Sequence, residues 1–454
     1  YGGIFIPEDW MYGADRDDGG FFEGCTEFSW DGNHEHGRLC LAGLPPEHFQ
    51  ARYLTRLETM IQEEDFQRMA ASGITVVRVP CGYWNWIAYP DGATPNGSHS
   101  KEMQLLQSIP PATYRKYFDR IFTSAGKYGL RVLLDLHGLP GSQNGEMHSG
   151  LTVGTPQFDT DWNRYKAVEA VTAMAKYASE GSRLETLYGL QIINEPNHYQ
   201  YDIHDFLDRY YDEAIIAARQ YLPAQVPIIV FEWTYNFENW SDDRFSYDQY
   251  GTVMWVRYVT LRYLLCSRNV YCTINARLCF FVIQKKMVVR RLHWFVFTRR
   301  FSVLLYNTFN LPFPRRLYSP FRFLLKDTHL YHNTEIVGTA NTDIAFKTQQ
   351  QRYSNDICAI TKFHQRQSGG VIIGEWSLAG PAWTKHQNQR FAHWLVQQFM
   401  DRTHGAFYWN WDADINEWSF QKSQAVFEID WTDLAVRTTT TTSRSSLSSY
   451  TNKN

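Results

Sequence analysis

Short apolar runs rich in β-branched and aromatic residues recur along this chain, each followed by a longer stretch whose apolar residues have helical spacing. The runs at 3–7, 75–80, 131–137, 187–194, 226–232, 371–376 and 406–411 read as strands. The stretches at 54–71, 113–128, 162–178, 202–221 and 387–402 read as helices. Continuously apolar strands alternating with helices imply a parallel sheet covered by helices, because each strand must be buried on both faces. Seven strands are one short of a closed eight-stranded barrel. The missing one belongs in sixth place, where Thr252-Val253-Met254-Trp255 joined to Asp327-Thr328-His329-Leu330-Tyr331-His332 would make a plausible strand. The expected fold is α/β, a (β/α)8 TIM barrel whose sixth strand is interrupted by a 71-residue block.

That block is foreign to the rest. Residues 256–326 hold 14 Lys or Arg but no Asp, Glu or Gly, while the other 383 residues carry 30 basic and all 47 acidic side chains. At the outside rate the block should contain roughly nine acids and roughly five glycines. It also falls inside a barrel strand, whereas tolerated insertions lie in exposed loops. Two origins fit: a translated intron, the favoured one, and a real basic insertion serving as a partner-binding arm. The expected organisation is therefore 1–255 for the first part of the barrel and 256–326 for the block. The rest of the barrel follows at 327–436, with a Thr- and Ser-rich disordered tail at 437–454.

Composition narrows the function. A length of 454 residues with 44% hydrophobic content gives ample material for a core. A net charge of −3 gives no reason to expect nucleic acid as a partner, and no run of 18 apolar residues suggests a membrane span. Outside the block the cysteines are Cys25, Cys40, Cys81 and Cys358, with no Cys-x-x-Cys pair to hold zinc. Cys25 and Cys40 fit a short disulfide or a pair of thiols equally. The sequons at Asn96 and Asn239 permit glycosylation and a secreted life. The chain starts at Tyr1 without a leader, so either a signal peptide has been removed or the N-terminus is missing. His34-Glu35-His36 reads as a solvated loop, and Asp412-Ala413-Asp414 lacks the rest of a calcium loop.

Barrel enzymes carry their chemistry at the C-terminal ends of strands. Those ends offer Glu8, Arg78, His137, Asn194-Glu195, His329 with Tyr331, Glu375 and Trp409-Asn410-Trp411. Two carboxylates on facing strand ends, ringed by Arg, His, Asn, Tyr and Trp, are what a retaining glycosidase needs. One protonates the leaving oxygen while the other attacks the anomeric carbon.

Gly73-Ile74-Thr75-Val76-Val77-Arg78-Val79-Pro80, with Gly82-Tyr83-Trp84, resembles glycoside hydrolase family 5. Asp135-Leu136-His137-Gly138, Pro140-Gly141-Ser142-Gln143-Asn144-Gly145 and Glu417-Trp418-Ser419-Phe420-Gln421 are similar to its fungal exo-β-1,3-glucanase subgroup. Removing the block shortens the Glu195–Glu375 separation from 180 to 109 residues, closer to the family's spacing. The resemblance implies Glu195 as acid/base, with a pKa raised by its setting, and Glu375 as nucleophile, kept charged by Arg78. It implies Asn194 on the sugar 2-hydroxyl, and His137, His329 and Tyr331 lining the same subsite. It places Trp411, in preference to Trp409, under the −1 glucose, and Glu8 with Trp10 at the blind end. At one point the chain departs from the family. Glu146-Met147-His148 stands where relatives often carry an aromatic and then an asparagine that help bind the next sugar. Asn333-Thr334 likewise replaces an aromatic-bearing loop.

The expectation is a monomeric, extracellular or cell-wall hydrolase that releases glucose from a β-1,3-glucan with retention. It is expected to need no cofactor or metal and no partner beyond the glucan. Its alternatives are an endo-acting β-glucanase of the same family, or a non-catalytic glucan binder if the block is really present.

Overall fold

A computed structural model describes residues 1–8, 11, 21–22, 43–88, 101–149, 156–197, 206–231, 324–330, 347, 350–351, 353–355, 357–358, 370–379 and 384–432. All of these belong to one compact unit; a second, Phe237–Ser241 with Val256–Phe321, lies outside them. The expectations for Trp10, Tyr331, Cys25, Cys40, both sequons, His34–His36 and the tail also fall outside the described residues.

Seven strands form one parallel sheet in chain order: β1 Val76–Gly82, β2 Arg131–Gly138, β3 Leu187–Gln191, β4 Ile228–Phe231, β5 Leu324–Leu330, β6 Gly370–Trp376 and β7 Ala406–Tyr408. Between and beside them run α1 Pro46–Met60, α2 Glu63–Ala71, α3 Lys101–Gln107, α4 Pro111–Lys127, α5 Asp161–Ser179, α6 Asp208–Arg219, α7 Lys385–Arg402 and α8 Phe420–Phe427. Local chemistry fixes several starts. Proline opens α1 and α4, where a missing N–H costs nothing. Thr160 caps α5 through the Asn163 N–H, and Thr384 with Gln387 forms a capping box on α7.

The sheet curls. Leu133, Ile229 and Ile372, from β2, β4 and β6, share one fully buried cluster, with Val76, Tyr188 and Phe407 against it. In a flat sheet with strands about 4.8 Å apart, residues four strands away would lie roughly 19 Å apart. Side chains from alternate strands meeting in a layer is how a barrel interior fills.

Four expectations are corrected. Residues 3–7 form no strand; they are irregular but buried, anchored by the Arg56 guanidinium to the Gly3 carbonyl at 2.6 Å. The Tyr1 nitrogen bonds the Arg78 carbonyl at 2.9 Å, and Gly2 lies so close to the Trp409 ring that a Cβ would sit 2.8 Å from it. This segment thus touches both β1 and the chain beyond β7, the place a first strand would take, without joining the ladder. Secondly, the 54–71 helix is two helices, broken at Ile61, whose φ of −100° and ψ of 89° are not helical. Thirdly, the sixth-place strand is Leu324–Leu330, so its first three residues come from the block. Leu324, Leu325 and Lys326 pair with Ile228, Ile229 and Val230, since an apolar run adjoining Asp327 extends the strand without a break. Fourthly, the strands leading to Asn194 and Trp411 end early, at Gln191 and Tyr408, so those residues sit on loops.

Candidate active site

Arg78, on β1, is buried and spends its guanidinium across the barrel mouth. Its Nη1 donates to Glu375 Oε1 at 2.7 Å, its Nη2 to Asn194 Oδ1 at 2.9 Å and its Nε to Gln191 Oε1 at 3.1 Å. Nη2 also lies 2.9 Å from Asp135 Oδ2. One planar, permanently charged fork can satisfy this many acceptors in fixed directions, which a lysine could not. The β1–β6 bond spans strands that would lie roughly 24 Å apart in a flat sheet, so the site exists only because the sheet curls.

On β2, Asp135 and His137 are two residues apart and therefore share a face. His137 Nδ1 lies 2.7 Å from Asp135 Oδ2, and its Nε2 lies 3.2 Å from Asn194 Nδ2. Burial pushes the His137 pKa well below the ordinary histidine value, although the Glu375 charge works the other way. The ring is therefore neutral, with Nδ1–H donating to Asp135 and Nε2 accepting from Asn194. Asn194 is fixed in turn: its oxygen faces Arg78, and one amide hydrogen is left for a further acceptor.

The loop after β2 fastens this face to the one after β3. Gln143 Nε2 donates to the carbonyls of His137 at 2.7 Å and Asn194 at 2.8 Å, while Asn144 Nδ2 reaches the Glu195 carbonyl at 3.0 Å. Glu195 has a left-handed backbone, φ 41°, a conformation that costs a side-chain-bearing residue about 1–2 kcal/mol. Its carboxylate Oε2 lies 3.0 Å from His148 Nε2. Burial works to lower the His148 pKa. The hydrogen bond to Glu195 and the charges of Glu195, Glu8 and Glu375 outweigh that and raise it to about 9. The Glu195 carboxylate thus has a histidine as its direct neighbour.

Of the expected site residues, Arg78, His137, Asn194 and Glu375 are joined by direct bonds, with Glu195 beside Asn194. Glu8 is buried and acts electrostatically on His148. His329 is opposite Glu375 in the β5–β6 register. Trp411 goes elsewhere: its indole N–H donates to Asp65 at 3.1 Å and its ring stacks on Phe420. Trp409, not Trp411, lies parallel to the His137 ring, with centroids 5.7 Å apart. Sequence reasoning did not assign roles to Asp135, Gln191, Gln143 and His148. The i, i+2 spacing to His137 was a usable signal for Asp135; the other three depend on contacts distant in the chain.

Residues 43–254 match the family model described as Cellulase (glycosyl hydrolase family 5). The chain is similar to the glycoside hydrolases of family 5. A glucan 1,3-beta-glucosidase of Blumeria graminis is 36% identical over 34% of this chain and 32% of its own length. A sporulation-specific glucan 1,3-beta-glucosidase of Saccharomyces cerevisiae is 33% identical over 33% of this chain and 30% of its own. The matched stretch thus spans about a third of the length of these two relatives. Among solved structures, AoRut superposes with a TM-score of 0.58 at 16% identity over 95% of this chain and 96% of that one. The rutinosidase from Aspergillus niger gives 0.54 at 15%, over 94% and 96%. At such identities the likeness is one of fold.

Proposed function

We propose that this protein is a secreted, retaining glycoside hydrolase of a β-1,3-glucan, exo-acting and releasing glucose. The observation that carries the reading is the buried Arg78 fork, which ties Glu375 to Asn194, the residue beside Glu195. Glu375, held in place by that bond, attacks the anomeric carbon, while Glu195 protonates the leaving oxygen and then deprotonates the incoming water. The remaining Asn194 amide hydrogen meets the 2-hydroxyl, and the neutral His137 keeps that amide oriented. Trp409 offers its ring to the apolar face of the −1 sugar. The Glu146–His148 departure keeps an endo-acting β-glucanase in play, because it alters the wall where the leaving sugar sits.

The fold part of the reading is a closed (β/α)8 barrel interrupted by a translated intron at 256–326. The family match ends at residue 254, two residues before the block begins. If the block is part of the protein, a glucan-binding barrel without turnover is the alternative.

The test is glucose release from laminarin. Glu375→Gln and Glu195→Gln are each expected to lower it at least about a thousandfold, with β-glucose as the first-formed anomer of the parent protein. Near-parental turnover in either variant, or inversion, would sink the assignment. A ladder of oligosaccharides in place of glucose would transfer it to endo action.

A further inference from the structure

The contact of His148 with Glu195 has no part in the proposed reaction. His148 stands on a turn after β2, and Ser149 beside it is held by Ser142, whose Oγ lies 2.6 Å from the Ser149 Oγ. Three carboxylates from three elements act on the ring: Glu195 after β3, Glu8 from the N-terminal segment and Glu375 on β6. Arg78 already pairs with Glu375 and Asp135. Among the described residues, the His137 ring packs edge-on to it with centroids 5.8 Å apart, and His137 is neutral.

Two neighbours compete for His148 Nε2. Glu195 Oε2 is 3.0 Å away and Asn144 Nδ2 is 2.6 Å away. A nitrogen that bears hydrogen donates to the carboxylate; without hydrogen it accepts from the amide. It cannot do both. The protonation of the ring and the charge of Glu195 are therefore coupled: ionised Glu195 keeps the proton on His148, and the imidazolium in turn keeps Glu195 ionised.

We propose that His148 is a positioning residue that lowers the proton affinity of Glu195 and so confines the acid-assisted step to acidic pH. The proposal rests on Glu195 being the acid/base. In the first step Glu375 bonds to C1 as the C1–O bond breaks, and Glu195 gives its proton to the departing oxygen, which keeps the bonding pair. The carboxylate left behind is stabilised by His148, so the transfer is easier, but the proton must be present beforehand. In the second step the same carboxylate takes a proton from water.

The test compares His148→Asn with the parent across pH on two aryl β-glucosides. A poor phenol leaving group needs protonation; 2,4-dinitrophenol does not. Removing a cation 3.0 Å from a carboxylate should raise the alkaline limb of kcat/KM by about one pH unit or more for the poor leaving group. The limb for 2,4-dinitrophenyl β-glucoside should stay where it is. A fall in kcat with an unmoved limb would mean a merely structural role and would overturn the proposal. Glu195→Gln separates the two readings. If it hydrolyses both substrates like the parent, the acid/base assignment fails. If its kcat/KM falls only for the poor-leaving-group substrate, its kcat falling for both because the second step has lost its base, while His148→Asn leaves the limb in place, only the His148 proposal fails. A second readout needs no turnover. Nitrogen-15 NMR of the full chain should show His148 protonated through pH 8, and titrating near the ordinary histidine value in Glu195→Gln. Identical titrations in the two proteins would overturn the proposal.

Discussion

Arg78 decides most at the residue scale. Its guanidinium is 3% exposed and faces two buried carboxylates, Glu375 and Asp135. Removing one partner of such a group leaves the others desolvated and unpaired, which costs about 3–5 kcal/mol. Arg78→Met, close in volume, should therefore lose that much stability in urea unfolding, besides its activity. A loss under about 1 kcal/mol would mean that water reaches these carboxylates. His137, Asn194, Glu195 and Glu375 were readable from the sequence as candidates because each lies in a short motif at or just beyond a strand end, whereas Arg78 lies within β1. His148 was visible only as a departure from a pattern. Its partner stands 47 positions later, and no local rule connects them.

At the scale of elements, the turn carrying His148 leans on the end of β2. A Cβ on Gly138 would sit 2.5 Å from the Ser149 carbonyl oxygen and 3.0 Å from the Trp84 ring. Backbone cannot yield as a flexible side-chain tip can, so Gly138→Ala should destabilise by roughly 1–3 kcal/mol through overpacking. Because the displaced residue adjoins His148, the alkaline limb should also move toward that of His148→Asn. Measuring the urea midpoint and the pH profile on one sample checks both. Helix and strand identities came through the periodicity well, whereas their ends did not. The helix read over 54–71 hides the break at Ile61, because α1 and α2 present apolar faces that continue the same spacing. The strand read at 3–7 is apolar for a different reason: it is buried between β1 and Trp409 without ladder bonds.

At the scale of the whole molecule, the block at 256–326 sets the main experiment. The sixth-place strand takes Leu324-Leu325-Lys326 from it, so deletion ending at 323 and deletion ending at 326 are different tests. Removal of residues 256–326 joins Trp255 to Asp327 and should give a cooperative thermal transition and laminarin hydrolysis above those of the full chain. Removal of 256–323 leaves Leu324–Lys326 in the strand with 252–255 crowded in front, and should recover less of both. Higher stability and turnover in the full chain than in either deletion would make the block a native part of the protein.

The class of fold was legible in the sequence alone, and so were the candidates for the proposed chemistry. Alternating apolar runs and helices have few ways to bury both sheet faces, and strand-end motifs are local enough to read directly. Which tryptophan packs beside His137, what holds Asn194 in one orientation and which side chain meets Glu195 belong to tertiary structure. Each depends on groups from different strands that meet only when the sheet curls, over distances that no spacing along the chain encodes.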